Sequence, residues 1–196
     1  MKKLITSILL LSVFTLFSAE KKKRPFFQAS QKQPYHLSIG AILFDKTGRV
    51  ACHHFSKILD SKDVYILMRE SMEDNETPLE TLSRGLKEEF GAYAKPIAFL
   101  GCLSGYLPNT RLPFEKTTLY IACLLDSWDP EVRDSDDSEA GSNIEWLEPT
   151  QLIEIMEKQG QKFKRVDVDE SEMIIKALPY IHDTLQQDSF KQEHLK

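Results

Sequence analysis

The sequence predicts an α/β domain in which a mixed β-sheet lies between helices on both faces. Apolar, β-prone runs alternate along the chain with segments of helical periodicity, which is the pattern expected of that architecture. The chain has 196 residues, of which 41% are hydrophobic and 28% charged, the balance of a soluble globular protein. This length is sufficient for one domain with a sizeable core and a short extension.

Four segments divide the chain. Residues 1–19 have the character of a signal peptide or an N-terminal anchor, and residues 20–34 are rich in Lys, Gln, Ser and Pro, which is typical of a linker. Residues 35–188 carry the α/β domain, which contains no internal repeat and no low-complexity stretch. Residues 189–196 are predicted to form a C-terminal tail.

The N-terminal segment leaves two interpretations open. Lys2 and Lys3 precede an uncharged, mostly apolar run from Leu4 to Ala19, as in a secretory signal peptide. Phe17 is bulky where signal cleavage favours a small residue, and the basic cluster at residues 21–24 suits an uncleaved anchor held on the cytoplasmic side. Export to the periplasm or medium and anchoring to a membrane are therefore both expectations, and a cytoplasmic location stays open.

The domain opens with a predicted β-hairpin. Tyr35–Phe44 is an apolar, β-prone run, and Asp45–Gly48 supplies a turn signal. Val50–Phe55 then forms the returning strand. Val64–Met68 is predicted to be a third strand.

A helix is predicted over Pro78–Phe90. Thr77 is its N-cap, Pro78 suits the first helical position, and Glu80 completes a capping box. Gly91 stands just past the last turn, where glycine commonly ends a helix. Four apolar residues at helical spacing predict one buried stripe: Leu79, Leu82, Leu86 and Phe90.

The second half of the domain is predicted to alternate between strands and helices. Its elements, in order, are a strand at Pro96–Leu103, a loop with Gly105, Pro108 and Pro113, a strand at Thr117–Leu125, an acidic loop at Asp126–Asn143, a short strand at Ile144–Leu147, a helix at Pro149–Lys158, and a helix at Glu170–Gln187 that is bent or broken at Pro179.

Charge and cysteine content exclude some functions. A net charge of −5 argues against binding a nucleic acid polymer, because proteins that do so are usually basic. Carboxylates can still handle phosphates through divalent cations that bridge the like charges. Cys52, Cys102 and Cys123 are scattered without CxxC pairing, so they describe neither a zinc site nor a complete disulfide framework.

The predicted helix carries the chemistry. Arg84 and Glu88 are four residues apart and therefore share a helix face. The adjacent Glu88 and Glu89 form a candidate site for a hard cation, since Mg²⁺ prefers carboxylate oxygens. A plain solvated helix face is the alternative on spacing alone.

The stretch Glu70–Ala92 resembles the Nudix box, written G-x5-E-x7-R-E-U-x-E-E-x-G-U with U a bulky aliphatic residue. Three positions depart from it: Glu70 stands where the first glycine belongs, Gly85 replaces the glutamate after the arginine, and Ala92 is small. Six fixed positions match with their spacing intact: Glu76, Arg84, Leu86, Glu88, Glu89 and Gly91. The resemblance implies a Nudix fold over residues 35–188.

The same resemblance implies roles for the matching residues. Glu88 and Glu89 would ligate Mg²⁺ or Mn²⁺ and take part in catalysis. Arg84 would pair with Glu76 or Glu88 and support the loop before the helix.

Gly85 removes a carboxylate that in this family ligates metal or acts as general base. We therefore expect the base to come from the acidic loop, with Glu139 as the first candidate and Asp137 or Glu145 behind it. A solvated surface loop is the alternative for this stretch. Outside the box, His53 and His54 are adjacent on a strand and point to opposite faces, so at most one of them faces the site.

The resemblance implies a metal-dependent pyrophosphohydrolase that cleaves a nucleoside diphosphate linked to another moiety. The alternative, favoured by Gly85 and Glu70, is a catalytically impaired Nudix-fold module that binds a nucleotide or a partner. The expected ligand is a small nucleoside diphosphate derivative. Nudix domains frequently pair, so a homodimer is a further expectation, together with membrane anchoring through the N-terminus.

Overall fold

A computed structural model describes residues 35–59, 62–107, 114–137 and 139–193. The signal-like segment and the linker predicted for residues 1–34 lie outside the described residues. Within the described ranges, no helix is long and apolar enough to cross a membrane.

The described residues form seven strands and three α-helices. In chain order they are β1 (Tyr35–Phe44), β2 (Val50–Leu59), β3 (Lys62–Ile66), β4 (Met68–Ser71), α1 (Pro78–Phe90), β5 (Ala92–Leu107), β6 (Phe114–Trp128), β7 (Asn143–Leu147), α2 (Pro149–Phe163) and α3 (Ser171–Glu193).

All seven strands belong to one mixed sheet. Its main path runs β3-β2-β1-β6-β5, while β4 pairs with β1 and β7 pairs with β2. The β1–β6 pair is parallel and the other pairs are antiparallel. The mixed sheet predicted from the sequence is therefore confirmed.

The two faces of the sheet build two cores, and alternation along β1 divides them. Ile39 and Leu43 point toward α1, where they join Leu86 and its neighbours. Ile42 and Phe44 point the other way, toward the apolar residues of α2 and α3. Because successive strand residues face opposite sides, one apolar strand serves both layers. The predicted α/β/α arrangement follows from this packing.

Helix α1 begins and ends where the sequence predicted. Thr77 and Glu80 form the capping box, and Gly91 adopts a left-handed conformation with φ of 65°. The predicted burial is confirmed for three residues of the stripe, Leu82, Leu86 and Phe90. It is wrong for Leu79, which is 53% exposed. Leu79 lies in the first turn, before the helix has reached the sheet.

The predicted third strand is two strands. Leu67 interrupts the extended run, and its N–H donates to the Glu170 carboxylate at 2.8 Å instead of joining a ladder. The residues before Leu67 pair with β2, and the residues after it pair with β1. The break therefore lets β4 cross to a different neighbour, where it lies against α1.

Other elements are longer than predicted. Strands β5 and β6 pair with each other from Ala92–Trp128 to Leu107–Phe114, which places Gly105 in a strand and not in a loop. Helix α3 continues past Pro179 without a break and crosses the boundary expected at residue 188. Proline removes one intrahelical hydrogen bond, but Ala177 and Ile181 are buried against the sheet on either side of it, and that packing holds the helix together.

Candidate functional site

Arg84 ties the loop before α1 to the helix. Its Nε and Nη2 atoms donate to the two carboxylate oxygens of Glu76 at 2.8 and 2.9 Å. Its Nη2 also donates to the backbone oxygen of Ser71 at 2.8 Å, and its Nη1 to Glu88 at 3.1 Å. Hydrogen bonding by Arg84 is the main cause that lowers the pKa of Glu76 to about 2. A two-oxygen arginine pair of this kind fixes geometry as well as charge.

The ionised side chain of Glu89 lies in an environment that destabilises it. Its side chain is 3% exposed, and burial, followed by the charges of Glu139 and Asp137, raises its pKa well above the usual value. It also lies in the last turn of α1, where the helix dipole disfavours negative charge. A bound cation would offset the effects of burial, of the neighbouring acidic charges and of the helix dipole on the ionised carboxylate.

His53, on strand β2, hydrogen-bonds to the side chain of Glu89. Its Nε2 is 2.8 Å from Glu89 Oε2 and its Nδ1 is 2.7 Å from Ser142 Oγ, so both ring nitrogens have partners. Burial is the main cause that lowers the pKa of His53 to about 4, although the charge of Glu139 acts in the opposite direction. At neutral pH the ring is therefore uncharged and serves as a hydrogen-bonding support.

His54 points to the opposite face, as strand alternation required. Its Nδ1 is 2.5 Å from Glu145 Oε1, and its ring stacks on Tyr65 at a centroid distance of 4.4 Å. Glu145 pairs with Cys52, whose side chain belongs to the core on the α2–α3 face. The structure therefore does not bring Glu145 to Glu89, and this candidate base is excluded by its face of the sheet.

The acidic loop is docked on the C-terminal end of α1. Arg133 Nε donates to the backbone oxygen of Glu89 at 2.6 Å, and the N–H of Asp134 donates to the backbone oxygen of Glu88 at 2.9 Å. These bonds use helix carbonyls that lack partners within the helix. They hold Asp137 and Glu139 close enough for their charges to act on Glu89. The sequence did not identify Arg133, because its targets are backbone atoms distant in the chain.

Gly85 lies under strand β4. A Cβ atom on Gly85 would lie 2.6 Å from the Cβ of Glu70 and 3.0 Å from Met68 Sδ. Glu70 Oε2 is 3.3 Å from Arg84 Nη1, and its Oε1 accepts from the N–H of Ser71 at 2.6 Å. Burial is the main cause that raises the pKa of Glu70 to about 7, with Arg84 opposing and Glu89 adding to the effect.

The donor chemistry suits a hard divalent cation. Within the described residues, no three His, Cys, Asp or Glu side chains converge as a ready-made metal site. Glu88 and Glu89 are nevertheless consecutive residues in the last turn of α1, at a helix end that attracts cations, and nearby acidic charge destabilises the ionised form of Glu89. Oxygen donors with unbalanced negative charge match Mg²⁺ or Mn²⁺.

A cavity of about 540 Å³ lies on the opposite face, between the sheet and the segment joining α2 to α3. Its walls include Arg69, Lys116, Tyr120 and Glu170. Tyr120 donates to Glu170, whose carboxylate also accepts from the N–H of Leu67 and has Arg69 Nε 3.6 Å from its Oε1. Burial, followed by the charge of Arg69, lowers the pKa of Lys116 to about 8. The lining of the cavity carries charges of both signs, from Arg69, Lys116, Lys164 and Arg165 and from Asp167, Asp169, Glu170 and Glu172.

Comparison with known proteins identifies the fold. A family model described as the NUDIX domain matches residues 34–166. The chain is similar in structure to a NUDIX hydrolase from Nitrosomonas europaea, with a TM-score of 0.54 and 12% identity, over 76% of this chain and 88% of that chain. At this identity the structural similarity establishes the fold alone. No curated protein matches the chain.

Proposed function

Because the chain belongs to the Nudix family, we propose that it is a metal-dependent pyrophosphohydrolase that cleaves a nucleoside diphosphate linked to another moiety. Family membership implies pyrophosphohydrolase-type activity in general, and the metal dependence and substrate class are the proposal. One observation carries it: the buried carboxylate of Glu89 stands beside Glu88 at the negative end of α1, with the acidic loop folded over it.

Glu88 and Glu89 would hold the cation. Bound Mg²⁺ or Mn²⁺ supplies charge neutralisation at the diphosphate oxygens and lowers the pKa of a bound water. His53 orients the Glu89 carboxylate through the 2.8 Å hydrogen bond, and Arg84 orients Glu88 through the 3.1 Å contact. Both carboxylates are thus fixed before substrate binds, which reduces the cost of ordering them during the reaction.

Glu139 is the proposed general base. Among the charged groups that raise the pKa of Glu89, Glu139 has the largest effect, which supports this assignment. The Arg133 contacts to the backbone oxygens of Glu139 and Ser142 hold this part of the loop in place. In this proposal Glu139 accepts the proton of the attacking water, and Asp137 is the next candidate.

The test is hydrolysis by the full chain. The protein is incubated with Mg²⁺ or Mn²⁺ and a panel of ADP-ribose, dinucleoside polyphosphates, NADH, nucleotide sugars and nucleoside triphosphates, and products are separated by chromatography. We expect turnover of a nucleoside diphosphate derivative that stops with EDTA and falls at least about a hundredfold in Glu89→Gln. Glu157→Gln, which removes one exposed carboxylate from α2, is the matched control and retains activity.

Binding without turnover would overturn the enzyme proposal. If a nucleotide raises the melting temperature but no compound is cleaved with either metal, the chain is a Nudix-fold binding module. Loss of turnover in Glu139→Gln, with metal binding retained, would support Glu139 as the base. Full activity of that variant would assign the proton transfer to another group.

A further inference from the structure

The two strongest departures from the Nudix box contact each other. In the box, position 70 is a glycine and position 85 a glutamate, whereas this chain has Glu70 and Gly85. The glycine and the acid have exchanged places between strand β4 and helix α1. We propose that Glu70 supplies to the metal site the carboxylate that Gly85 lacks, so that a bound cation would draw together three acidic residues from two elements, Glu70, Glu88 and Glu89, which do not converge as a ready-made site without it.

The packing of β4 on α1 leaves room for a side chain at position 70 or at position 85, but not at both. A Cβ on residue 85 would lie 2.6 Å from the Cβ and 3.1 Å from the Cγ of Glu70, so the two positions cannot both carry a side chain in this geometry. The obstructing atom is the Cβ of a strand residue, fixed to the backbone, and it cannot swing aside. Glu70 therefore occupies the space from which a side chain at position 85 would start.

The Glu70 carboxylate reaches the same group of charges. Met68 packs with Leu86 on the α1 face of the sheet, and alternation along β4 puts Glu70 on that face. Arg84 Nη1 is 3.3 Å from Glu70 Oε2 and 3.1 Å from Glu88 Oε2. The two carboxylate oxygens thus share one nitrogen and lie no farther apart than the sum of those distances.

Pairing with Arg84 alone would be a structural role, and it is distinguishable from metal ligation. Arg84 already has Glu76, Glu88 and the Ser71 carbonyl as partners, so its position does not depend on Glu70. A structural Glu70 would influence stability but leave cation affinity unchanged. A ligating Glu70 would influence cation affinity when the fold is intact.

The test measures Mn²⁺ binding by the full chain, without substrate, by isothermal titration calorimetry. Glu70→Gln keeps the side-chain shape and the Cβ contact but removes the charge, and we expect Mn²⁺ affinity to fall about tenfold or more. The double variant Glu70→Gly with Gly85→Glu returns the acid to the helix and should bind Mn²⁺ within about threefold of the wild type. Met68 Sδ remains 3.0 Å from the new Cβ, and a flexible thioether can accommodate it.

Glu157→Gln is the matched control and should bind as the wild type does. Circular dichroism establishes that each variant is folded, and Glu70→Gln decides the question if the double variant is not. Unchanged Mn²⁺ affinity in Glu70→Gln, or no Mn²⁺ binding by the wild type, would overturn the inference.

The inference rests on the proposed function for the identity of the cation, but the two fail in different ways. A chain that hydrolyses nothing on the substrate panel contradicts the proposed function, even if its Mn²⁺ binding depends on Glu70. A chain that hydrolyses a substrate with equal Mn²⁺ affinity in wild type and Glu70→Gln contradicts only the role of Glu70.

Discussion

Gly85→Ala is expected to destabilise this protein although alanine is the better helix former. At an open position in a helix, this substitution would raise the free energy of unfolding by about 1 kcal/mol. Here the added Cβ would lie 2.6 Å from the Cβ of Glu70 and 3.0 Å from Met68 Sδ. Real Cβ contacts do not come so close, so either β4 or α1 must shift.

The magnitude follows from the two opposing effects. Overpacking by one methyl group in a close-packed layer costs about 1–3 kcal/mol, and the helix gain offsets about 1 kcal/mol of it. We expect Gly85→Ala to lower the free energy of unfolding by about 1 kcal/mol. In a Glu70→Gly background the obstructing Cβ is absent, and the same substitution should raise it by up to about 1 kcal/mol. The coupling between the two positions is then about 2 kcal/mol.

Urea denaturation of four proteins measures this coupling. The wild type, the two single variants and the double variant are unfolded in the presence of EDTA, so that cation binding does not contribute to stability. Helical circular dichroism follows the transition. If Gly85→Ala changes stability by the same amount in both backgrounds, position 85 does not pack against Glu70 and the reasoning is refuted.

Three further changes test the surroundings of the site by the same urea assay. Glu76→Gln should cost about 1–2 kcal/mol at pH 7 after allowance for solvent screening, because hydrogen bonds, chiefly from Arg84, lower the pKa of Glu76 from 4.5 to about 2. This contribution is complete above pH 4.5 and is lost as the pH falls toward 2, so the difference from wild type should shrink at pH 3. His53→Ala should cost about 3 kcal/mol, since the buried ring packs on Phe90 at 4.6 Å. Gly91→Ala should cost at least about 2 kcal/mol, because its φ is 65° and its Cβ would lie 2.2 Å from a backbone oxygen.

For each of these three predictions there is a result that would contradict it. An effect of Glu76→Gln that does not change between pH 7 and pH 3 would mean that the Glu76–Arg84 pair contributes nothing through its charge. Wild-type stability in His53→Ala would mean that the ring is not part of the core under α1. An unaltered unfolding curve for Gly91→Ala would mean that the helix does not end in a left-handed residue.

Local signals made α1 predictable to the residue. The capping box of Thr77 and Glu80, the proline at the first position and the terminal glycine all act within a few residues of chain. The limits of β5 and β6 depend on pairing between distant residues, and they were underestimated. The break at Leu67 depends on Glu170, which is 103 residues away in the chain. Contacts of that range leave no periodic pattern in the sequence.

In the candidate site too, the features set by local sequence were predictable, and those set by contacts between distant residues were not. The positions of Arg84, Glu88 and Glu89 followed from helical spacing and from the resemblance to the Nudix box. Strand alternation predicted that at most one of His53 and His54 faces the site. That this residue is His53, and that it bonds to Glu89, became known only from the structure. The contact between Glu70 and Gly85 joins a strand to a helix, so the sequence shows two unusual residues without showing that they touch.

The central claim is that the carboxylates of α1 form a hydrolytic metal site. Its most direct test is the rate of nucleoside diphosphate cleavage by the full chain as Mg²⁺ or Mn²⁺ is titrated, in the wild type and in Glu89→Gln. The account predicts a rate that rises with metal, saturates, and is nearly abolished in the variant. Metal-independent cleavage, or equal rates in the two proteins, would contradict it.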